Sequence, residues 1–144
     1  DIVGSHRFIG IENNNYYRTG AYDIATSANF INRVIQELDC HLLLDIAHAK
    51  VTSKNKMIDL DKYIQELTTQ IKCKQMHLCK TDTRITEYGE ETFDAHLIPN
   101  NEDITQAIKI CKNLDINCLT IEYYKDPKLL VRTLKSIKQL INSI

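Results

Sequence analysis

The stretch HLLLDI at residues 41–46 is apolar almost throughout. A short apolar run of this kind suits a parallel strand that is buried on both faces. After a polar stretch, apolar residues recur at helical spacing from Leu60 to Ile71, which predicts a helix over residues 60–71. Strand and helix together form one β/α unit, and the rest of the chain repeats this arrangement.

Similar units lie on either side of this one. Towards the N-terminus, a strand is predicted at residues 8–12 and a helix at residues 27–38, with Ser27 as its N-cap. Towards the C-terminus, a strand is predicted at residues 74–79, and a long polar loop follows it. Each predicted strand is thus separated from the next by enough chain to form a crossover helix.

The last two helices begin with recognisable capping signals. Asn100 can cap the first of them, and Asp103 three positions later gives a variant of the capping box. A strand is predicted at residues 117–123, and the pair Asp126 and Pro127 then reads as the N-cap and first position of the final helix. The sequence therefore predicts four β/α units in series.

Alternating strands and helices of this length predict an α/β fold with a parallel sheet and right-handed crossovers. Four β/α units make half of a TIM (β/α)₈ barrel, which typically needs about 250 residues. The 144 residues are the size of one ordinary domain, predicted to span 1–144. An open doubly wound sheet is the structural alternative. With four glycines, no G-x-G-x-x-G motif and no P-loop, nucleotide binding has no support.

The composition, with 43% hydrophobic and 26% charged residues, is that of a globular chain with a core. A net charge of −1 argues against nucleic acid or an anionic membrane surface as a partner. No apolar run approaches the length of about 18 residues that indicates a membrane span. The five cysteines include no C-x-x-C pair, which argues against a disulfide framework or a zinc ribbon. Buried, reduced thiols in a cytoplasmic protein are the favoured interpretation.

Acidic and histidine side chains recur at the end of every predicted strand. In parallel α/β proteins the carboxyl edge of the sheet is the active-site face. Several carboxylates that meet there would repel one another strongly without a cation among them. Mixed carboxylate and imidazole ligands suit iron, manganese or zinc, and a set of this size could hold more than one metal. The candidate ligands are Glu12, Asp45, His48, His77, Asp94, His96 and Glu122.

Each of these residues has a simpler interpretation when it is taken alone. Glu12 and Glu122 can be ordinary strand-end carboxylates, and Asp45 can begin a turn. His77 lies between apolar neighbours, where a histidine is more often a satisfied core residue than a ligand. Asp94 and its neighbours lie in a predicted loop, where polar residues are usually solvated. The metal hypothesis therefore rests on the joint pattern at all four strand ends.

With these residues in view, the chain resembles the multinuclear non-haem iron-dependent oxidases, a family with a TIM-barrel fold. The resemblance rests on five stretches that cover nearly the whole chain and occur in the same order as in the family. The second and the fourth of these stretches are the most specific. The matching stretches are IEN at 11–13, LLLDIAHAKVTSKN at 42–55, MHLCKTDTR at 76–84, DAHLIPNNEDI at 94–104 and TIEYYKDPKLL at 120–130.

The resemblance implies a cofactor, a substrate and a partner. In that family the equivalent positions ligate two or three irons, so all seven candidate residues are implied to be iron ligands. The family uses dioxygen to modify a ribosomally made precursor peptide, often at cysteine. A small partner protein usually presents the peptide to the enzyme. The implied function is an iron-dependent oxidase module for peptide modification.

The chain departs from the family in length, because members are about twice as long by the usual size of the barrel. The first four β/α units, which normally add further histidine ligands, have no counterpart here. A half-barrel exposes two sheet edges and part of its core, which favours pairing with another chain. We therefore expect a dimer, or an assembly with the missing N-terminal half.

Two other functions remain compatible with the sequence. Sugar isomerases and apurinic-site endonucleases have a similar barrel with acid and histidine clusters, and they would hold manganese, magnesium or zinc without needing dioxygen. The DAHLIP stretch and the helix start that follows it favour the oxidase. A half-barrel with an incomplete ligand set could also be a non-catalytic interaction module.

Overall fold

The computed structural model describes residues 9–142, which form six strands and five helices. In chain order the strands are β1 (Gly10–Glu12), β2 (His41–Asp45), β3 (Cys73–Leu78), β4 (Lys80–Thr86), β5 (Gly89–Leu97) and β6 (Cys118–Ile121). The helices are α1 (Ala28–Leu38), α2 (Ile46–Lys56), α3 (Leu60–Thr68), α4 (Asn101–Leu114) and α5 (Pro127–Asn142). Strands β1, β2, β3 and β6 form one parallel sheet in that order, whereas β4 and β5 form a separate antiparallel hairpin. The predicted α/β fold of half-barrel type is confirmed.

The hydrophobic core lies between one face of the parallel sheet and the helices. Its centre is formed by fully buried residues of the two middle strands and of α3, which are Leu42, Leu44, Met76, Leu78 and Leu67. Successive side chains of a strand point to opposite faces. Leu43, Gln75 and His77 therefore project from the other face, where they are only half-buried. His77, on this second face, lies near the carboxyl edge of the sheet.

Helix α2 is a feature that the sequence did not predict. The predicted strand extended to residue 46, but β2 ends at Asp45 and α2 begins directly after it. Asp45 is the N-cap of α2, and its Oδ1 accepts a hydrogen bond from the backbone N–H of His48 at 2.8 Å. One residue thus ends a strand, starts a helix and binds the backbone of His48 in the first turn of that helix.

The prediction of a long polar loop after β3 is wrong, because this segment forms the β4–β5 hairpin. Gly89 begins β5 with a φ of +93°, a conformation that glycine adopts without the steric cost of a side chain. The register places Thr81 of β4 opposite Asp94 of β5. Two predicted site residues, Asp94 and His96, therefore lie on a strand rather than in a loop.

The predicted helix starts are confirmed by the hydrogen bonds of their capping residues. Ser27 accepts a bond from the N–H of Phe30 at the start of α1. Asn100 and Asp103 form a complete capping box at the start of α4. Asp126 accepts bonds from the first turn of α5. In the first predicted strand, residue 8 lies outside the described residues.

Asn55 of α2 fastens the hairpin to the body of the protein. Its amide nitrogen donates to the carbonyl oxygens of Tyr16 and Thr92, each at 2.8 Å, and its Oδ1 accepts from the N–H of Thr92 at 2.8 Å. The side-chain amide thus bonds both the carbonyl oxygen and the N–H of Thr92, as the backbone of a neighbouring strand would. Asn55 is buried, and its polar side-chain atoms are occupied by these bonds.

We expect Asn55→Ala to lower the free energy of unfolding by roughly 2–3 kcal/mol, because it leaves buried backbone groups of Thr92 and Tyr16 without partners. The measurement is urea unfolding followed by circular dichroism. The control is Lys54→Ala, one position earlier on an exposed part of α2, which should change stability by less than about 0.5 kcal/mol. Equal effects of the two substitutions would contradict this role for Asn55.

Candidate metal centre

Four predicted site residues lie at the carboxyl edge of the parallel sheet, one on or directly after each strand. Glu12 is the last residue of β1 and Asp45 the last of β2, where it pairs in register with His77 of β3. Glu122 follows β6 directly, and its N–H donates to the carbonyl oxygen of Leu78 at 3.1 Å. The strand order brings these side chains next to one another, as the sequence predicted.

Glu12, Asp45 and Glu122 surround the imidazole of His77, and these four residues form the sheet-edge group. Its Nδ1 lies 2.7 Å from Oε1 of Glu122, 3.2 Å from Oε1 of Glu12 and 4.0 Å from Oδ2 of Asp45. One potential ligand atom from each residue lies within 4.8 Å of all the others. Four donor atoms at this spacing can share one cation.

Asp94, His48 and His96 form a second set of close contacts, the hairpin group. Oδ2 of Asp94 lies 3.4 Å from Nε2 of His48 and 3.2 Å from Nε2 of His96. His48 comes from α2, whereas Asp94 and His96 come from β5. The two elements that the sequence did not predict therefore supply three of the seven predicted ligands.

Two carboxylates link the sheet-edge group to the hairpin group. Glu122 faces His77 with Oε1 and lies 3.5 Å from Nδ1 of His96 with Oε2. Oδ2 of Asp45 lies 3.9 Å from Nε2 of His48 and 4.0 Å from Nδ1 of His77. All seven predicted residues thus belong to one continuous cluster.

Asn13 orients two members of the cluster, although the sequence singled it out only as part of a motif. Its side chain is fully buried and exchanges two hydrogen bonds with the backbone of Asp45, at 2.8 and 2.9 Å. The backbone carbonyl oxygen of Asn13 accepts a hydrogen bond from Nδ1 of His48 at 2.8 Å. The proton of a neutral His48 is thereby assigned to Nδ1, which leaves the lone pair of Nε2 free to bind a metal.

Cys79 is a second neighbour of the cluster that the sequence did not single out. It lies between β3 and β4, is fully buried, and its thiol donates to Oδ1 of Asp94 at 2.9 Å. Potential ligand atoms of Cys79, Asp94 and His96 lie within 4.8 Å of one another. The one signal available in the sequence was its position, two residues after His77.

The backbone of His96 is strained at the site. Its φ is +44°, in the left-handed region that is uncommon for residues other than glycine. The N–H of His96 donates to Oδ1 of Asp94 at 3.2 Å. The bend at the end of β5 thus turns the imidazole back towards Asp94.

Burial and mutual charge perturb the titration of the cluster. Burial raises the pKa of Asp45 to about 6, and the charges of Glu12 and Glu122 act in the same direction. Burial would lower the pKa of His48, but the hydrogen bond to Asp94 and the charge of Asp45 raise it to about 9. Burial also opposes ionisation of Asp94, yet hydrogen bonds from His48 and Cys79 hold its pKa well below the usual range. A cation among these groups would relieve the same repulsion.

The cluster also contains buried polar atoms without hydrogen-bond partners, and these fit a metal. Oδ2 of Asp45, Nδ1 of His77 and Nδ1 of His96 are shielded from solvent, and none makes a hydrogen bond of good geometry within residues 9–142, although both imidazole nitrogens lie close to Glu122. Buried polar atoms are normally satisfied, so each exception requires an explanation. Carboxylate and imidazole atoms left in this state are the donor types that iron, manganese and zinc bind.

Lys50 lies on α2, two positions after His48. In the structure its Nζ lies 2.6 Å from Oδ1 of Asp103, so it ties α2 to the capping box of α4. The more accessible side of the cluster is marked instead by Glu12 and His96, whose side chains are 38% and 36% exposed. The ring of His96 lies 6.0 Å from that of the exposed Tyr124.

Fold and cluster together define an α/β protein of parallel β/α units with metal-ligand chemistry at the carboxyl edge of its sheet. The chain belongs to the family of RiPP precursor modification enzymes MbnB/TglH/ChrH, whose model matches residues 4–140. Members of this family modify ribosomally made precursor peptides. The match confirms the resemblance to the multinuclear non-haem iron-dependent oxidases.

A curated relative is similar to part of the chain. It is a UPF0276 protein of Shewanella loihica, 25% identical over 89 residues, which are 58% of this chain and 31% of the relative. The matched region therefore spans about a third of the relative's length. Among residues 9–142, no helix is both long and apolar enough to cross a membrane.

We expect His77→Ala to abolish most of the stabilisation that anaerobic Fe(II) gives the chain, because His77 lies at the centre of the sheet-edge group. A metal at 100 times its Kd raises the free energy of unfolding by about 2.7 kcal/mol. The measurement is thermal unfolding with and without Fe(II). The control is His41→Ala, at the opposite end of β2, which should keep the full stabilisation. Loss in both variants, or in neither, would contradict the assignment.

Proposed function

We propose that the chain is an iron-dependent oxidase module that uses dioxygen to modify a ribosomally made precursor peptide. The observation that carries the proposal is the continuity of the cluster, in which Glu122 and Asp45 connect the sheet-edge group to the hairpin group. Shared carboxylates of this kind suit a centre with more than one metal ion. Family membership supports the choice of substrate class.

Seven residues would hold the irons, namely Glu12, Asp45, His48, His77, Asp94, His96 and Glu122. When bound, iron supplies the activation of dioxygen at an open coordination position. The protein holds the imidazoles in orientation through Asn13 and the bend at His96. Asp45 is fully buried, so the cluster is closed to bulk solvent on that side. The peptide would approach from the side of Glu12 and His96, where the cluster is most exposed.

Manganese and zinc fit the same donor types. The alternative within enzymes is therefore a sugar-isomerase-type centre or a hydrolytic centre of nuclease type. Dioxygen dependence separates the two, because only the oxidase consumes it. We place the enzyme in the cytoplasm, an assignment supported by five cysteines that are all free in the structure.

We propose that further β/α units, or a second copy of the chain, complete the barrel. Within residues 9–142, β1 pairs only with β2, and β6 pairs only with β3, so each outer strand has an open edge. Open edges of this kind favour pairing with another segment. Helix α5, which follows β6, exposes Val131, Leu134 and Ile141. A separate partner protein would present the precursor peptide.

After anaerobic loading, we expect the chain to retain more than one iron, and Glu122→Ala to lower the retained iron by at least half, because Glu122 contacts histidines of both groups. Elemental analysis gives the iron content. Oxygen consumption and peptide mass, with a cysteine-containing precursor peptide and its partner protein, give the activity.

The control is Glu37→Ala on an exposed part of α1, which should change neither quantity. Retention of manganese or zinc in preference to iron, with turnover that needs no dioxygen, would contradict the oxidase assignment.

We expect the chain to sediment as a dimer or as part of a larger assembly, because isolated half-barrels leave two sheet edges and apolar helix surface exposed. Analytical ultracentrifugation at several protein concentrations measures this directly. A monodisperse monomer across the concentration range would show that the open edges are stable without a partner.

A further inference from the structure

The carboxylate of Asp94 is divided between two environments. Its Oδ1 accepts hydrogen bonds from the thiol of Cys79 at 2.9 Å and from the N–H of His96 at 3.2 Å. Its Oδ2 faces Nε2 of His48 at 3.4 Å and Nε2 of His96 at 3.2 Å. One oxygen is thus held by the protein, and the other lies among the imidazoles.

Cys79 is held rigidly in the position from which it bonds Asp94. The preceding residue, Leu78, pairs with Ile121 of β6, and the following residue, Lys80, pairs with Leu97 of β5. The residue is fully buried, so bulk solvent does not reach the thiol. The bond to Asp94 is the hydrogen bond that this thiol makes within the described part of the chain.

We propose that Cys79 is a positioning residue for the metal centre, and that its protonated thiol holds Oδ1 of Asp94 so that Oδ2 alone binds metal. The proposal rests on the proposed function, because it assumes that the cluster binds iron. Partners of this kind behind a ligating carboxylate fix its orientation and raise metal affinity. Asp45 is arranged in the same way, since its Oδ1 caps α2 and its Oδ2 remains unbonded.

A direct thiolate–metal bond is the competing role for Cys79, since its sulfur lies close enough to share a cation with Asp94 and His96. The two roles differ in the state of the sulfur. A positioning thiol keeps its proton and stays outside the coordination shell. A ligating thiolate loses its proton and gives a cobalt-substituted centre an intense near-ultraviolet charge-transfer band.

The test compares the wild-type chain with Cys79→Ser, Cys79→Ala and Cys73→Ala, each titrated anaerobically with Co(II) and with Fe(II). We expect Cys79→Ala to lower metal affinity roughly 10–100-fold. Cys79→Ser should restore most of this loss, because its hydroxyl can also donate to Asp94. Cys73 is also a buried thiol of the β3 segment, but it donates to the carbonyl oxygen of Gln75 instead. Cys73→Ala should therefore bind metal as the wild type does.

Wild-type Co(II) protein should show visible d–d absorption without a thiolate charge-transfer band. A thiolate band that is lost in both Cys79 variants would overturn the positioning role in favour of direct ligation. Unchanged affinity in Cys79→Ala, or equal loss in Cys79→Ala and Cys79→Ser, would also overturn it. If Cys79→Ala fails to fold, Cys79→Val fills the volume of the thiol without a donor and takes its place. A wild-type chain that binds neither metal would refute the proposed function itself.

Discussion

Asp45 imposes the strongest electrostatic constraint on the site, because its carboxylate is buried beside two others. Its carboxylate is fully buried at the end of β2, with one oxygen bonded to the first turn of α2 and the other without a hydrogen-bond partner. Glu12 and Glu122 lie close enough to raise its pKa further through their charges. An arrangement that buries a carboxylate beside two others is unfavourable unless a cation or protons compensate the charge. A metal ion in the cluster would supply this compensation.

Asp94 is arranged like Asp45, with one oxygen bonded to the protein and the other facing the cluster. The site also needs elements outside the parallel sheet. The β/α units supply ligands only at strand ends, in one row along the carboxyl edge. Helix α2 and the β4–β5 hairpin add His48, Asp94 and His96 from a second direction. Asn55 fixes the hairpin against α2, and Asn13 fixes α2 against β1 and β2. The buried asparagines therefore set the distance between the two ligand groups.

Much of this architecture could be predicted from the sequence, because the apolar strands and capping residues have strong local signals. Helix α2 could not, since it is buried around most of its surface and has no polar stripe to mark a helical period. The hairpin was missed because β4 is exposed along most of its length and reads as a polar loop. Strand-end acids and histidines were identifiable by position. Cys79 and Asn13 were not, because their roles depend on contacts made only in the folded chain.

We propose that Asp45 and Glu122 join the sheet-edge group and the hairpin group into one centre that holds more than one iron. X-ray absorption at the iron edge of the anaerobically loaded chain tests this most directly. We expect a first shell of nitrogen and oxygen atoms, no iron–sulfur scattering and a resolved iron–iron vector. Nitrogen and oxygen ligation without any iron–iron vector at full loading would contradict this claim, whereas a sulfur shell would contradict the positioning role of Cys79.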